Sequence, residues 1–127
     1  MMTNKEQTKL IKAQQGELDA VVLYKTLADI LKETQYKKIF LEIAADEGKH
    51  AGILKNYTGI NLNPRPIKAK IIAVLYRVIG LQRLVKIIEK GEFNAAKDYE
   101  SLVGKYPNIR KIIEDENRHG KLMQTIC

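Results

Sequence analysis

The chain carries one pattern twice, and that repeat limits its fold more than any other feature. Gly16-Glu17-Leu18-Asp19-Ala20 is followed by Tyr24, and Gly91-Glu92-Phe93-Asn94-Ala95 by Tyr99. Both read Gly-Glu-x-x-Ala-x-x-x-Tyr. Each is followed by Asp-Glu-x-x-His, as Asp46-Glu47-Gly48-Lys49-His50 and as Asp115-Glu116-Asn117-Arg118-His119. On a helix, residues three apart point to the same side, one turn apart, so each Glu-x-x-His offers a carboxylate and an imidazole together. The two histidines of the chain are both accounted for in this way. A helical hairpin used twice is what such a repeat predicts, the second copy being shorter between its marks.

Hydrophobic spacing extends the repeat to whole helices. A first helix is expected over about Thr3 to Lys32, its seam made of Leu10, Ala13, Glu17, Ala20, Tyr24, Leu27 and Leu31. After a break near Glu33-Thr34-Gln35, a second spans Tyr36 to Tyr57, with Tyr36, Ile39, Ile43, Glu47, His50, Ile53 or Leu54, and Tyr57. The short turn makes these two antiparallel neighbours. Residues 58–66, holding Pro64, Pro66, Asn61 and Asn63, form the clearest loop. A short apolar helix, Ile67 to Ile79, is expected to end at Gly80; it either covers one face of the bundle or pairs two subunits. The next helix runs from about Leu81 to Val103, with Leu81, Leu84 or Val85, Ile88, Glu92, Ala95, Tyr99 and Leu102. A turn over residues 104–108 leads to the last helix, from Pro107 to about Gln124, with Ile109, Ile112, Glu116, His119, Leu122 or Met123, and Ile126.

Length and composition agree with a single all-α domain over residues 1–127. Hydrophobic residues make up 45%, and three Pro and eight Gly are few interruptions. The formal charge is +7, but Lys and Arg are scattered at helical spacing. That reads as a solvated helical surface, and no nucleic-acid or membrane partner is expected. The single cysteine, Cys127, excludes an internal disulfide and a multi-cysteine metal site, and a cytoplasmic setting is expected. The longest apolar stretch, Ile67 to Leu81, is too short to span a membrane and carries Lys68, Lys70 and Arg77.

The polar exceptions on the apolar seams are Glu17, Glu47, His50, Glu92, Glu116 and His119. An unpaired carboxylate costs several kcal/mol to bury. Four together would exceed the net stability of about 5–15 kcal/mol available to a small domain. The seams hold no Lys or Arg, so two divalent cations are the natural counter-charge, with both histidines neutral as ligands. Mixed oxygen and imidazole ligands suit iron or manganese and do not exclude zinc. A Glu from each of two helices and Glu-x-x-His from each of the other two is the ligand set of ferritin-like di-metal bundles. In such a site Glu47 and Glu116 would bridge, while Glu17 and Glu92 would be terminal. Tyr24 and Tyr99, two turns beyond the lone glutamates, either pack in the core or bond a ligand carboxylate.

With Gly16-Glu17 and Tyr24, Glu47 and His50, Gly91-Glu92 and Tyr99, and Glu116 and His119 in these places, the sequence resembles the rubrerythrin-like branch of the ferritin-like superfamily over nearly its whole length. The resemblance implies a ferritin-like four-helix bundle of two helical hairpins with a long crossover, the short extra helix lying within it, and often a homodimer. It also implies two iron ions held by Glu17, Glu47, His50, Glu92, Glu116 and His119, and reduction of hydrogen peroxide or oxygen. Two departures qualify it. Typical rubrerythrins carry a further Glu three residues after the Glu of the third helix, where this chain has Ala95, so the set of four Glu and two His looks more like a bacterioferritin centre. They also carry a four-cysteine rubredoxin-like module, which one cysteine cannot form, so electrons must come from an external donor protein. Iron handling as a ferroxidase is the alternative, and a non-catalytic interaction module a second.

Overall fold

A computed structural model describes residues 2–126 of the chain; Cys127, the lone thiol, lies outside the described residues. Four helices and no strand are found among them: α1 (Asn4–Ile30), α2 (Thr34–Thr58), α3 (Ile67–Glu100) and α4 (Ile109–Met123). The all-α expectation holds. The chain divides into two compact units, one up to Ile71 and one from Ile72 onward, so that α1 and α2 belong to the first and α4 with most of α3 to the second.

In the first unit α1 begins at a capping turn. The Thr3 hydroxyl accepts a hydrogen bond from the Glu6 N–H at 3.1 Å and donates one to Glu6 Oε1 at 3.0 Å. The helix ends at Ile30, and α2 restarts at Thr34, so residues 31–33 alone make the turn. A connection that short forces the two helices to pack antiparallel. Leu10, Leu27, Phe40, Ile43 and Leu54 are wholly buried, each contributing about 1.5–3 kcal/mol. The Tyr24 and Phe40 rings stack with centroids 5.9 Å apart. Gly59 closes α2 with φ 68°, its N–H donating to the Lys55 carbonyl at 2.7 Å. This left-handed turn is one that glycine adopts without strain.

The segment after Gly59 is strapped to α1. Gln14 Nε2 donates to the Ile60 carbonyl at 2.8 Å, and the Thr58 hydroxyl donates to Gln14 Oε1 at 2.6 Å. Gln15 Nε2 donates to the Asn63 carbonyl at 2.8 Å and to Asp19 Oδ1 at 2.9 Å. Arg65 holds Asp19 through its backbone N–H at 2.8 Å and its guanidinium at 3.1 and 2.8 Å. Burial of Asp19 works to raise its pKa, but the Arg65 hydrogen bonds and charge outweigh it and hold the carboxyl below its ordinary value.

In the second unit, helical geometry resumes on both sides of Gly80, which alone in α3 is non-helical, with φ 80° and ψ 170°. The helical run from Ile67 is broken at Gly80, its expected end, and α3 comprises two helical stretches that meet at this kink. α3 then runs to Glu100 rather than to Val103, and α4 starts at Ile109 rather than at Pro107. Residues 107 and 108 form a turn, in which the Pro107 and Asn108 carbonyls accept from Arg110 and Lys111 N–H. Leu84, Ile109 and Ile112 are wholly buried, with Val85, Ile88, Tyr99 and Met123 nearly so. Outward, α3 exposes Ile67, Ile71, Val74 and Val78. No helix is long and apolar enough to cross a membrane among the described residues.

Candidate metal centre

The first hairpin brings three of the expected residues together. Glu17 comes from α1, and Glu47 and His50 from one side of α2. His50 Nδ1 lies 3.4 Å from Glu17 Oε2 and 3.1 Å from Glu47 Oε1. All three are buried, at 5%, 3% and 0% exposure. The second hairpin repeats the arrangement with Glu92 from α3 and Glu116 and His119 from α4. His119 Nδ1 lies 3.6 Å from Glu92 Oε2 and 3.7 Å from Glu116 Oε1, with exposures of 5%, 3% and 0%. Within each triad the ligand atoms lie within 4.8 Å of one another. The same imidazole nitrogen faces the same pair of carboxylates in both.

Charge shows what such a triad can hold. Two carboxylates bring two negative charges into a site with almost no water, where an uncompensated charge is strongly unfavourable. A proton on the histidine would cancel only one. No Lys or Arg is among the buried described residues. A divalent cation cancels both carboxylates and leaves the imidazole neutral, the form in which it ligates. Two carboxylate oxygens and one nitrogen per hairpin are a donor set that iron, manganese or zinc accepts. The residues present therefore fit a metal.

The surroundings separate ligand carboxylates from structural ones. Asp115, next to Glu116 and 5% exposed, pairs outward with Lys111 Nζ at 3.0 Å and Arg118 Nη2 at 3.7 Å. Asp19 is held by Arg65. Tyr24 and Tyr99 are both buried, at 4% and 6%, and Tyr24 packs on Phe40. Ala95, one turn after Glu92, is half-buried and brings no donor atom. Pattern reading passed over the buried Gln14 and Asp19 and their hold on the crossover. No periodic signal marks them, because their partners lie 44–46 residues away, at the end of α2 and in the loop after it.

Helical hairpins each bearing a lone Glu and a Glu-x-x-His, buried together, make a carboxylate–histidine cluster that could hold a metal in an all-helical protein. The family model described as Rubrerythrin matches residues 9–127, and the chain belongs to the rubrerythrin family. The ferritin-like four-helix bundle expected from the sequence stands with that membership. No curated protein and no solved structure gives a match to the chain.

Proposed function

We propose that this chain is a non-haem di-iron protein that reduces hydrogen peroxide or oxygen, with electrons from an external donor protein. The observation that carries this reading is the pair of buried Glu-Glu-His triads, one per hairpin and equivalent in composition. On this reading Glu17, Glu47, His50, Glu92, Glu116 and His119, four Glu and two His, would hold the two metal ions. Iron is the metal the family favours; manganese and zinc suit the same donors.

Reduction of peroxide to two waters takes up two electrons and two protons. When bound, a reduced metal pair supplies the two electrons and the Lewis acidity. The chain's own part is to fix the donors and exclude bulk water. Glu47 and His50 are held at one helical turn, as are Glu116 and His119, and Glu17 and Glu92 reach them from the neighbouring helix. Ile43 in the first unit and Leu84 and Ile112 in the second are wholly buried apolar residues. A cytoplasmic protein fits this role. A homodimer does also, supported by the exposed Ile67, Ile71, Val74 and Val78 of α3.

Ala95 favours a second reading. It leaves four Glu and two His with no additional carboxylate, the set of a ferroxidase that oxidises or carries iron without peroxidase turnover. Anaerobic loading with ferrous iron followed by peroxide or oxygen, with absorbance recorded, tests both. Uptake near two irons per chain and fast oxidation by peroxide is the expected result. Slow oxidation with oxygen preferred supports iron handling. A chain that takes up no stoichiometric iron overturns both and leaves a non-catalytic interaction module.

A further inference from the structure

Gly120 follows His119 on α4, and Phe93 follows Glu92 on α3. A Cβ placed on Gly120 would lie 2.6 Å from Phe93 Cζ and 2.7 and 2.8 Å from Cε1 and Cε2. Carbon atoms do not approach so closely, so the tip of the ring is seated on the α4 backbone where glycine alone leaves room. Gly16, Gly52 and Gly91, also helical, meet nothing within 4 Å, and Gly48 meets only Val21 Cγ2 at 3.9 Å. Glycine is unfavourable inside a helix. At Gly120 the absence of a side chain answers to one particular neighbour.

The repeat supplies an internal comparison. At the same places in the first hairpin stand Leu18 after Glu17 and Ala51 after His50. The larger apolar residue goes with the smaller partner, Phe with Gly and Leu with Ala. The two triads also differ in tightness. His50 stands 3.4 and 3.1 Å from its carboxylates, and His119 stands 3.6 and 3.7 Å from its own.

We propose that Phe93 and Gly120 are a positioning pair that sets the separation of α3 and α4 at the second triad, and so the affinity for the metal held by Glu92 and His119 more than for the other. This rests on the metal reading above. Both residues adjoin a ligand in sequence, so a ring displaced from Gly120 changes the packing beside Glu92 and His119.

The test is anaerobic titration of the full chain with ferrous iron, repeated with cobalt(II), whose visible absorption reports its coordination. The native chain is expected to take two ions. G120A should bind one ion about tenfold or more weakly and the other with a smaller loss, with the cobalt spectrum of the weakened ion altered. F93L/G120A, which gives the second hairpin the pair of the first, should recover both. G91A, beside Glu92 but facing open space, should match the native chain. Native binding of two ions by G120A, equal weakening of both ions, loss in G91A as large as in G120A, or no recovery in F93L/G120A each overturns the pair's role while leaving the di-metal reading intact. A native chain that takes up no iron overturns both. If G120A does not fold, F93L/G120A decides: two ions bound supports the pair, and fewer overturns it.

Discussion

Glu47 and Asp19 are both buried acids in the first hairpin, yet they meet opposite fates when removed. Glu47 lies 3.1 Å from His50 Nδ1 and belongs to a triad that has two carboxylates and no buried Lys or Arg. Glu47→Ala is expected to abolish stoichiometric iron binding while leaving the metal-free chain as stable as before or more so, since like charges are thinned; iron titration and urea melts of the apo-protein check the two halves. Asp19 is already compensated by Arg65. Asp19→Asn should cost about 2 kcal/mol at pH 7, the scale of hydrogen bonds to a charged group. Because the folded pKa lies below the ordinary 3.8, the stability from this carboxylate is complete above pH 3.8 and is lost as the pH falls through the lower folded value. Urea melts should therefore show the two proteins converging below pH 3.8. The six ligand-type residues were legible in the sequence because a Glu or His on an otherwise apolar seam contradicts its surroundings. Asp19 was not, because its reason for burial is an arginine 46 residues away.

The helices were legible as periodic runs, but their ends were decided by backbone bonds that periodicity does not see. α1 begins at the Thr3 cap and stops at Ile30, and α4 waits until residues 107 and 108 have completed a turn. Gly80, at the break in α3, showed itself as a stop signal, whereas Gly59, which ends α2, was not singled out within a loop read from its prolines and asparagines; both have positive φ. Gly59→Ala, in the left-handed region at φ 68°, should destabilise by about 1–2 kcal/mol. Gly80→Ala, at φ 80° and ψ 170°, lies where only glycine is at ease and should cost about 1–3 kcal/mol. Thermal melts of the two variants, compared with G91A as a control for helical glycine, check both values.

At the scale of the molecule, bound metal and folding are one equilibrium. A ligand at a hundred times its dissociation constant adds about 2.7 kcal/mol to the folded state, which for a chain of this size raises the melting temperature by about 10 °C. Chelation under reducing conditions should remove that increment, and calorimetry with and without chelator measures it. The strap from α1 to residues 60–65 has a consequence for what happens next in the metal-free chain. Its contacts, made by Gln14, Gln15 and Asp19, all lie within the first unit and fasten the connecting segment to the body it leaves. Local openings follow such differences in tethering. In deuterium, the Arg65 amide, donated to a buried carboxylate, should exchange as slowly as a helical one although it sits in a loop. Asp19→Asn should release it first, so that a single amide outside any helix reports whether the first hairpin is shut.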